Sequence, residues 1–139
     1  MSPSNTILGF DFGMKSIGVA IGNHLTGTAR GLTAIAARDG IPNWESVAQL
    51  INEWQPDTLI VGLPLNMDGT EQPMTAAAKR FGNRLNNRFN IPVIWHDERL
   101  TTFEALDQMG VRSKMHTSKR SDVDKLSAQI ILQSWLEQQ

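Results

Sequence analysis

Apolar positions along the chain keep two different periods, and each change of period marks an element. Residues 7–10 and 17–21 are short apolar runs separated by DFGMKS, and a third β-compatible run at 31–35 follows a Thr/Gly-rich turn. These predict an antiparallel meander. Val47, Leu50, Ile51 and Trp54 then repeat at the helical spacing behind Asn43, a credible N-cap, until Gln55-Pro56-Asp57 stops the helix. Residues 58–63 are a continuous apolar run, as in an interior strand covered on both faces. A helix from about 72 to 89 turns Ala77, Ala78, Phe81 and Leu85 inward and keeps Lys79, Arg80, Arg84 and Arg88 on other faces. A short strand at 92–96 runs into Asp97, Glu98 and Arg99. Thr101 and Glu104 have capping-box spacing and open a helix ending near Gly110. Residues 111–121 lack periodicity and read as a basic loop, and a last helix from about Asp122 buries Leu126, Ile130, Ile131 and Trp135. The order βββ-α-β-α-β-α-α predicts an α/β fold: a mixed five-stranded central sheet with helices on both faces.

Composition narrows the chemistry more than the fold. A chain of 139 residues suits one domain, expected over 1–139, with a core that needs no staples. It has no cysteine, which excludes disulfides, thiolate nucleophiles and cysteine-bound zinc, so any metal must sit on oxygen or imidazole. It has no tyrosine, so no strand is linked through a phenolic oxygen, and water is the expected nucleophile. No signal-peptide pattern opens it, and nothing approaches the roughly 20 apolar residues of a membrane span, so a cytoplasmic protein without membrane association is expected.

The net charge of −1 hides a segregation of signs. Residues 39–78 hold six acids and no Lys or Arg, whereas residues 79–125 hold ten bases against six acids. Ordinary solvated helix faces account for such a pattern at least as well as a nucleic-acid footprint does. If Arg112, Lys114, Lys119 and Arg120 do contact phosphates, counterion release makes binding weaken with salt.

Acids stand at three element ends: Asp11 closes the first strand, Asp97 and Glu98 follow the last, and Asp124 lies in the first turn of the final helix. Singly, each is explained by a turn or by the helix dipole. Together, coming from distant parts of the chain, they can converge on one sheet edge, where clustered carboxylates stay ionised at low cost only beside cations. Oxygen-only ligation points to Mg²⁺ or Mn²⁺, and Asp11 is the expected bridging ligand of a two-ion phosphodiester centre. Lys15 is placed to reach a substrate phosphate, and Asn66 and Thr70, in a Gly/Pro-bounded loop, are candidate phosphate or base contacts. His96 and His116 read first as packing or surface histidines, with His116 also placed to assist proton transfer.

The segments DFGMKSIGVA (11–20), GLPLNMDG (62–69), DERLTT (97–102) and Val123-Asp124 ahead of IIL (130–132) resemble, in that order and spacing, the bacterial pre-16S rRNA nuclease family, also described as Holliday-junction resolvases. The resemblance spans nearly the whole chain. It implies a ribonuclease H-like fold and hydrolysis of RNA in maturing the 5′ end of 16S ribosomal RNA. It also implies a catalytic and metal-binding triad at Asp11, Glu98 and Asp124, with Asp97 behind them or as an alternative ligand. Arg99 joins the expected nucleic-acid contacts. The implied partners are pre-16S rRNA, within a ribosomal-subunit precursor, or branched DNA, for a monomer or a homodimer.

Other readings are weaker. The Asp11–Lys15 hairpin also resembles the phosphate turn of actin-like and sugar-kinase ATPases, which enclose nucleotide between two lobes where this chain has length for one. A protein-kinase reading of DFG lacks every other kinase motif. Junction resolution, and a non-catalytic RNA-binding assembly factor, remain as alternatives to rRNA processing.

Overall fold

The computed structural model describes residues 5–100 and 120–139. Strands β1 (Thr6–Asp11), β2 (Ser16–Asn23), β3 (Thr28–Arg38) and β4 (Ile41–Pro42) lead into helix α1 (Trp44–Trp54). Strand β5 (Thr58–Leu63), helix α2 (Pro73–Phe89), strand β6 (Val93–Asp97), a single 3₁₀ turn (Glu98–Leu100) and helix α3 (Arg120–Glu137) follow. The sheet order is β4-β3-β2-β1-β5-β6, with β1, β2, β3 and β4 antiparallel in sequence and β5 parallel to both β1 and β6. The expected mixed sheet is present with six strands instead of five. The added strand is β4, which pairs with Ala37 and Arg38 across a tight turn where Asp39 and Gly40 both take positive φ, 54° and 79°. The expected helix near 101–110, the loop bases Arg112, Lys114 and Lys119, and His116 lie outside the described residues; Arg120, expected in the loop, opens α3.

The alternation of β1, β2 and β5 divides the core between two faces. Leu8, Phe10, Val19, Leu59 and Val61 meet α1 and α2, whereas Ile7, Ala20 and Ile60 meet Ala128, Ile131, Leu132 and Trp135 of α3. Asn43 caps α1 as expected, its Oδ1 accepting from the N–H groups of Glu45 at 3.1 Å and Ser46 at 3.4 Å. Asn43→Ala is expected to lower stability by about 1 kcal/mol, read by denaturant melts, because the Glu45 N–H then loses its side-chain acceptor while the Ser46 N–H keeps only the Asn43 carbonyl.

The α3 face of the sheet is floored with small residues. A Cβ at Gly9 would lie 2.9 Å from Leu132 Cβ, at Gly18 2.0 Å from the Asp124 carbonyl oxygen, and at Gly31 2.9 Å from the Lys125 carbonyl oxygen. The helix therefore lies nearly on the backbone. It also covers the part of β3 that β4 leaves bare: Gln129 Oε1 accepts from the Gly31 N–H at 2.8 Å and Gln133 Oε1 from the Ala29 N–H at 2.9 Å. Strand donors that would otherwise be an open edge are thus satisfied by side chains of the helix.

Candidate active site

Asp11 ends β1 and pairs across the ladder with Gly18 of β2. Because Gly18 has no side chain, α3 settles against it at Asp124, which falls past the first turn expected for it because the helix opens earlier, at Arg120, and Asp124 comes beside Asp11. The parallel strands β5 and β6 finish at the same rim, where the 3₁₀ turn carries Glu98 back over Gly62. A Cβ at Gly62 would stand 3.2 Å from the Glu98 carboxyl carbon. Gly62 thus leaves the space that the Glu98 side chain fills.

The electrostatics record the convergence. Asp11 is pushed up to about 7, chiefly by burial and then by the charges of Glu98 and Asp124. Glu98 is also raised, by burial and then by Asp97. The donors are carboxylate oxygens, the set that suits hard divalent ions, and an acid raised by burial and by two neighbouring acids fits a place where positive charge is to be received. Among the described residues no three His, Asp or Glu side chains close tightly enough to grip one ion as they stand. The carboxylates are electrostatic neighbours and not yet a coordination sphere.

Beside them opens a cleft of about 470 Å³ lined by Asp11, Phe12, Gly13, Met14, Lys15, Ser16, Met74 and Asp124. Lys15 is exposed on its wall, with its backbone fixed by the Ala37 N–H, 2.9 Å from the Lys15 carbonyl. The other expected contacts stand differently. Asn66 and Thr70 turn towards each other, Asn66 Nδ2 donating to Thr70 Oγ1 at 3.0 Å, so both shape the loop. Arg99 is spent on Asp97, with Nε 3.1 and 3.0 Å from the two carboxylate oxygens and Nη2 2.7 Å from Oδ2. Those bonds hold Asp97 below the usual carboxylate range. His96 is a packing histidine: it is buried, its Nε2 lies 2.9 Å from Ser134 Oγ on α3, and burial lowers its pKa. Gly62 opens the GLPLNMDG segment that the sequence singles out, whereas nothing in the sequence marks Gly18 as a site residue, since a glycine in a strand signals only close approach and not what approaches.

A protein of Glaesserella parasuis named "Putative pre-16S rRNA nuclease" is 59% identical over 136 residues, covering 98% of this chain and 99% of its own. One of the same name from Pectobacterium carotovorum is 57% identical, covering 98% of each. Among solved structures, Thermus thermophilus RuvC in complex with a Holliday junction substrate superposes with a TM-score of 0.57 at 16% identity, covering 96% of this chain and 94% of that one. The fowlpox virus resolvase bound to Holliday junction DNA gives the same TM-score and identity, covering 96% and 97%. At such identities the likeness speaks for the fold, the ribonuclease H-like one that the sequence resemblance implied. The RuvX family, described as Holliday junction resolvase, matches residues 5–138. No helix among the described residues is long and apolar enough to cross a membrane. A match over nearly the full length, with relatives more than half identical across it, means that the chain belongs to the RuvX family and is a nuclease.

Proposed function

We propose that the protein hydrolyses RNA phosphodiester bonds with Mg²⁺ or Mn²⁺ held by Asp11, Glu98 and Asp124, and that its substrate is the 5′ leader of pre-16S rRNA. The observation that carries this reading is Asp11: a carboxylate at the sheet rim, raised to about 7 chiefly by burial and then by the charges of Glu98, in the turn after β6, and Asp124, on α3. Bound divalent ions supply activation of water and stabilisation of the leaving oxygen. The chain's own residues supply the rest. Asp11 and Asp124 line the cleft, Glu98 lies over Gly62 near enough to raise Asp11, and Lys15 gives the cleft a cation for a backbone phosphate. Met14 and Met74 give the same cleft its apolar lining beside the carboxylates. The bases Arg112, Lys114, Lys119 and Arg120 are read as further phosphate contacts, which makes binding weaken with salt.

A second reading, cleavage of branched DNA, is favoured by the family's description and by two fold neighbours solved with junction DNA. The two are separated by offering an RNA with the 16S leader and a four-way DNA junction side by side, with Mn²⁺, Mg²⁺ or EDTA. Leader cleavage that EDTA removes supports the rRNA reading, and symmetric junction cutting moves the assignment to the resolvase. Cleavage of neither substrate leaves a binding role.

A further inference from the structure

The residue after Glu98 makes more of the site than a charged surface. Arg99 directs its fork onto both oxygens of Asp97, and its own backbone N–H donates to Asp97 Oδ1 at 2.9 Å. Its remaining terminal nitrogen, Nη1, reaches the Met67 carbonyl at 3.5 Å. A Cβ at Gly69, where φ is +89°, would lie 3.2 Å from that nitrogen. The guanidinium thus lies against the tip of the loop that follows β5. That loop is a small closed unit: the Asn66 N–H donates to the Thr70 carbonyl and the Gly69 N–H to the Asn66 carbonyl, both at 2.9 Å, and the Thr70 N–H to Asp68 Oδ1 at 3.0 Å. Among the described residues its hydrogen bond to the turn after β6 runs through Arg99 alone. Glu98 sits between the two residues of the fork, in a 3₁₀ turn of only three residues, a conformation whose own hydrogen bonds are poorly aligned.

We propose that Arg99 is a positioning residue for Glu98 and not a phosphate contact. By fixing Asp97 on one side and the 65–71 loop on the other, it holds the intervening turn so that the Glu98 carboxyl stays over Gly62 and beside Asp11. Asp97, with both oxygens engaged, is then part of the brace and not a ligand. A planar five-donor fork is what the arrangement needs, and lysine cannot supply it. The inference rests on the nuclease reading, but most of its test does not.

The test compares wild type with Arg99→Gln, Arg99→Lys, Asp97→Asn and the Asp97→Asn/Arg99→Gln double variant, each confirmed folded by a thermal melt. Mn²⁺ titration is expected to show about 10- to 100-fold weaker binding in both Arg99 variants and in Asp97→Asn. The double variant is expected to lose no more than either single one, because the pair acts as a unit. Amide exchange at Asn66, Gly69 and Thr70 is expected to quicken in Arg99→Gln while β5 is unchanged. For single-stranded RNA, the slope of binding against salt is expected to stay at its wild-type value, and cleavage to lose kcat at constant KM.

A slope smaller by about 0.7 in Arg99→Gln, with unchanged Mn²⁺ affinity, makes Arg99 a phosphate contact and overturns the proposal. So does full function in Arg99→Lys, and so does a wild type that binds no Mn²⁺, since Glu98 then has no ion to be placed for. A wild type that binds Mn²⁺ but cuts no nucleic acid overturns the nuclease reading, while the Mn²⁺ affinities and exchange rates still decide the brace.

Discussion

Replacing Asp11 by asparagine is expected to abolish cleavage and, without divalent ions, to make the protein more stable than the wild type at pH 8. The sign follows from the direction of its shift. Asp11 ionises near its ordinary 3.8 in the unfolded chain and at about 7 in the fold. Between those values the folded state binds the extra proton, so stability falls as pH rises through the window and the full cost is reached above about pH 7. Moving an acid that far sets a ceiling of about 4 kcal/mol on the cost. Asparagine keeps the shape and removes both the buried charge and its repulsion from Glu98 and Asp124. Melting curves should therefore place Asp11→Asn several degrees above wild type at pH 8, with the gap narrowing as pH falls towards 4. Added Mn²⁺ should raise the wild type far more than the variant, because only the wild type binds the ion with its full set. A variant less stable than wild type at pH 8 in EDTA would mean that the carboxylate is not repelled in the fold, and the metal reading would lose its support.

That opposition between stability and activity explains which parts of the site could be read from the chain. As candidates, Asp11 and Glu98 are visible in the chain because each stands where an apolar strand stops, and strand ends of a mixed sheet share a rim; Asp124 is visible as an acid near the start of the last helix. Their assignment as a triad came from resemblance, since an acid beside a turn has ordinary explanations. Local signals also placed α1 and α2 closely. The D-G turn before β4 was present in the sequence at Asp39-Gly40, but a two-residue strand is too short to show a period. What stayed hidden was decided by contacts between distant segments. Nothing near Gln129 or Gln133 announces that their amides satisfy the bare donors of β3. Nothing near Arg99 shows that its partner is two residues behind it and not a phosphate. Charge patterning counts cations, and it takes geometry to tell which of them are already engaged.

Gly18→Ala is the second change expected to have a large effect, although it adds one methyl group far from any reacting atom in sequence. The new Cβ would stand 2.0 Å from the Asp124 carbonyl oxygen, an atom of the helix backbone that no rotamer change can move aside. The start of α3 must therefore lift by about 1 Å or more, taking Asp124 away from the Asp11 that Gly18 faces across the ladder. Overpacking of this kind costs about 1–3 kcal/mol, and misplacing a catalytic group by about 1 Å costs on the order of 100-fold in rate. Gly22→Ala is the control. It lies on the same strand and face, but its Cβ meets the Leu132 Cδ2 and Leu136 Cδ1 side-chain tips at 3.0 and 3.2 Å, which can yield, and it lies at the other end of the strand from Asp11. Both variants should melt below wild type, while only Gly18→Ala loses cleavage out of proportion to its stability. Wild-type kcat in folded Gly18→Ala would show that Asp124 need not be held against β2, and the helix would then serve the sheet and not the site.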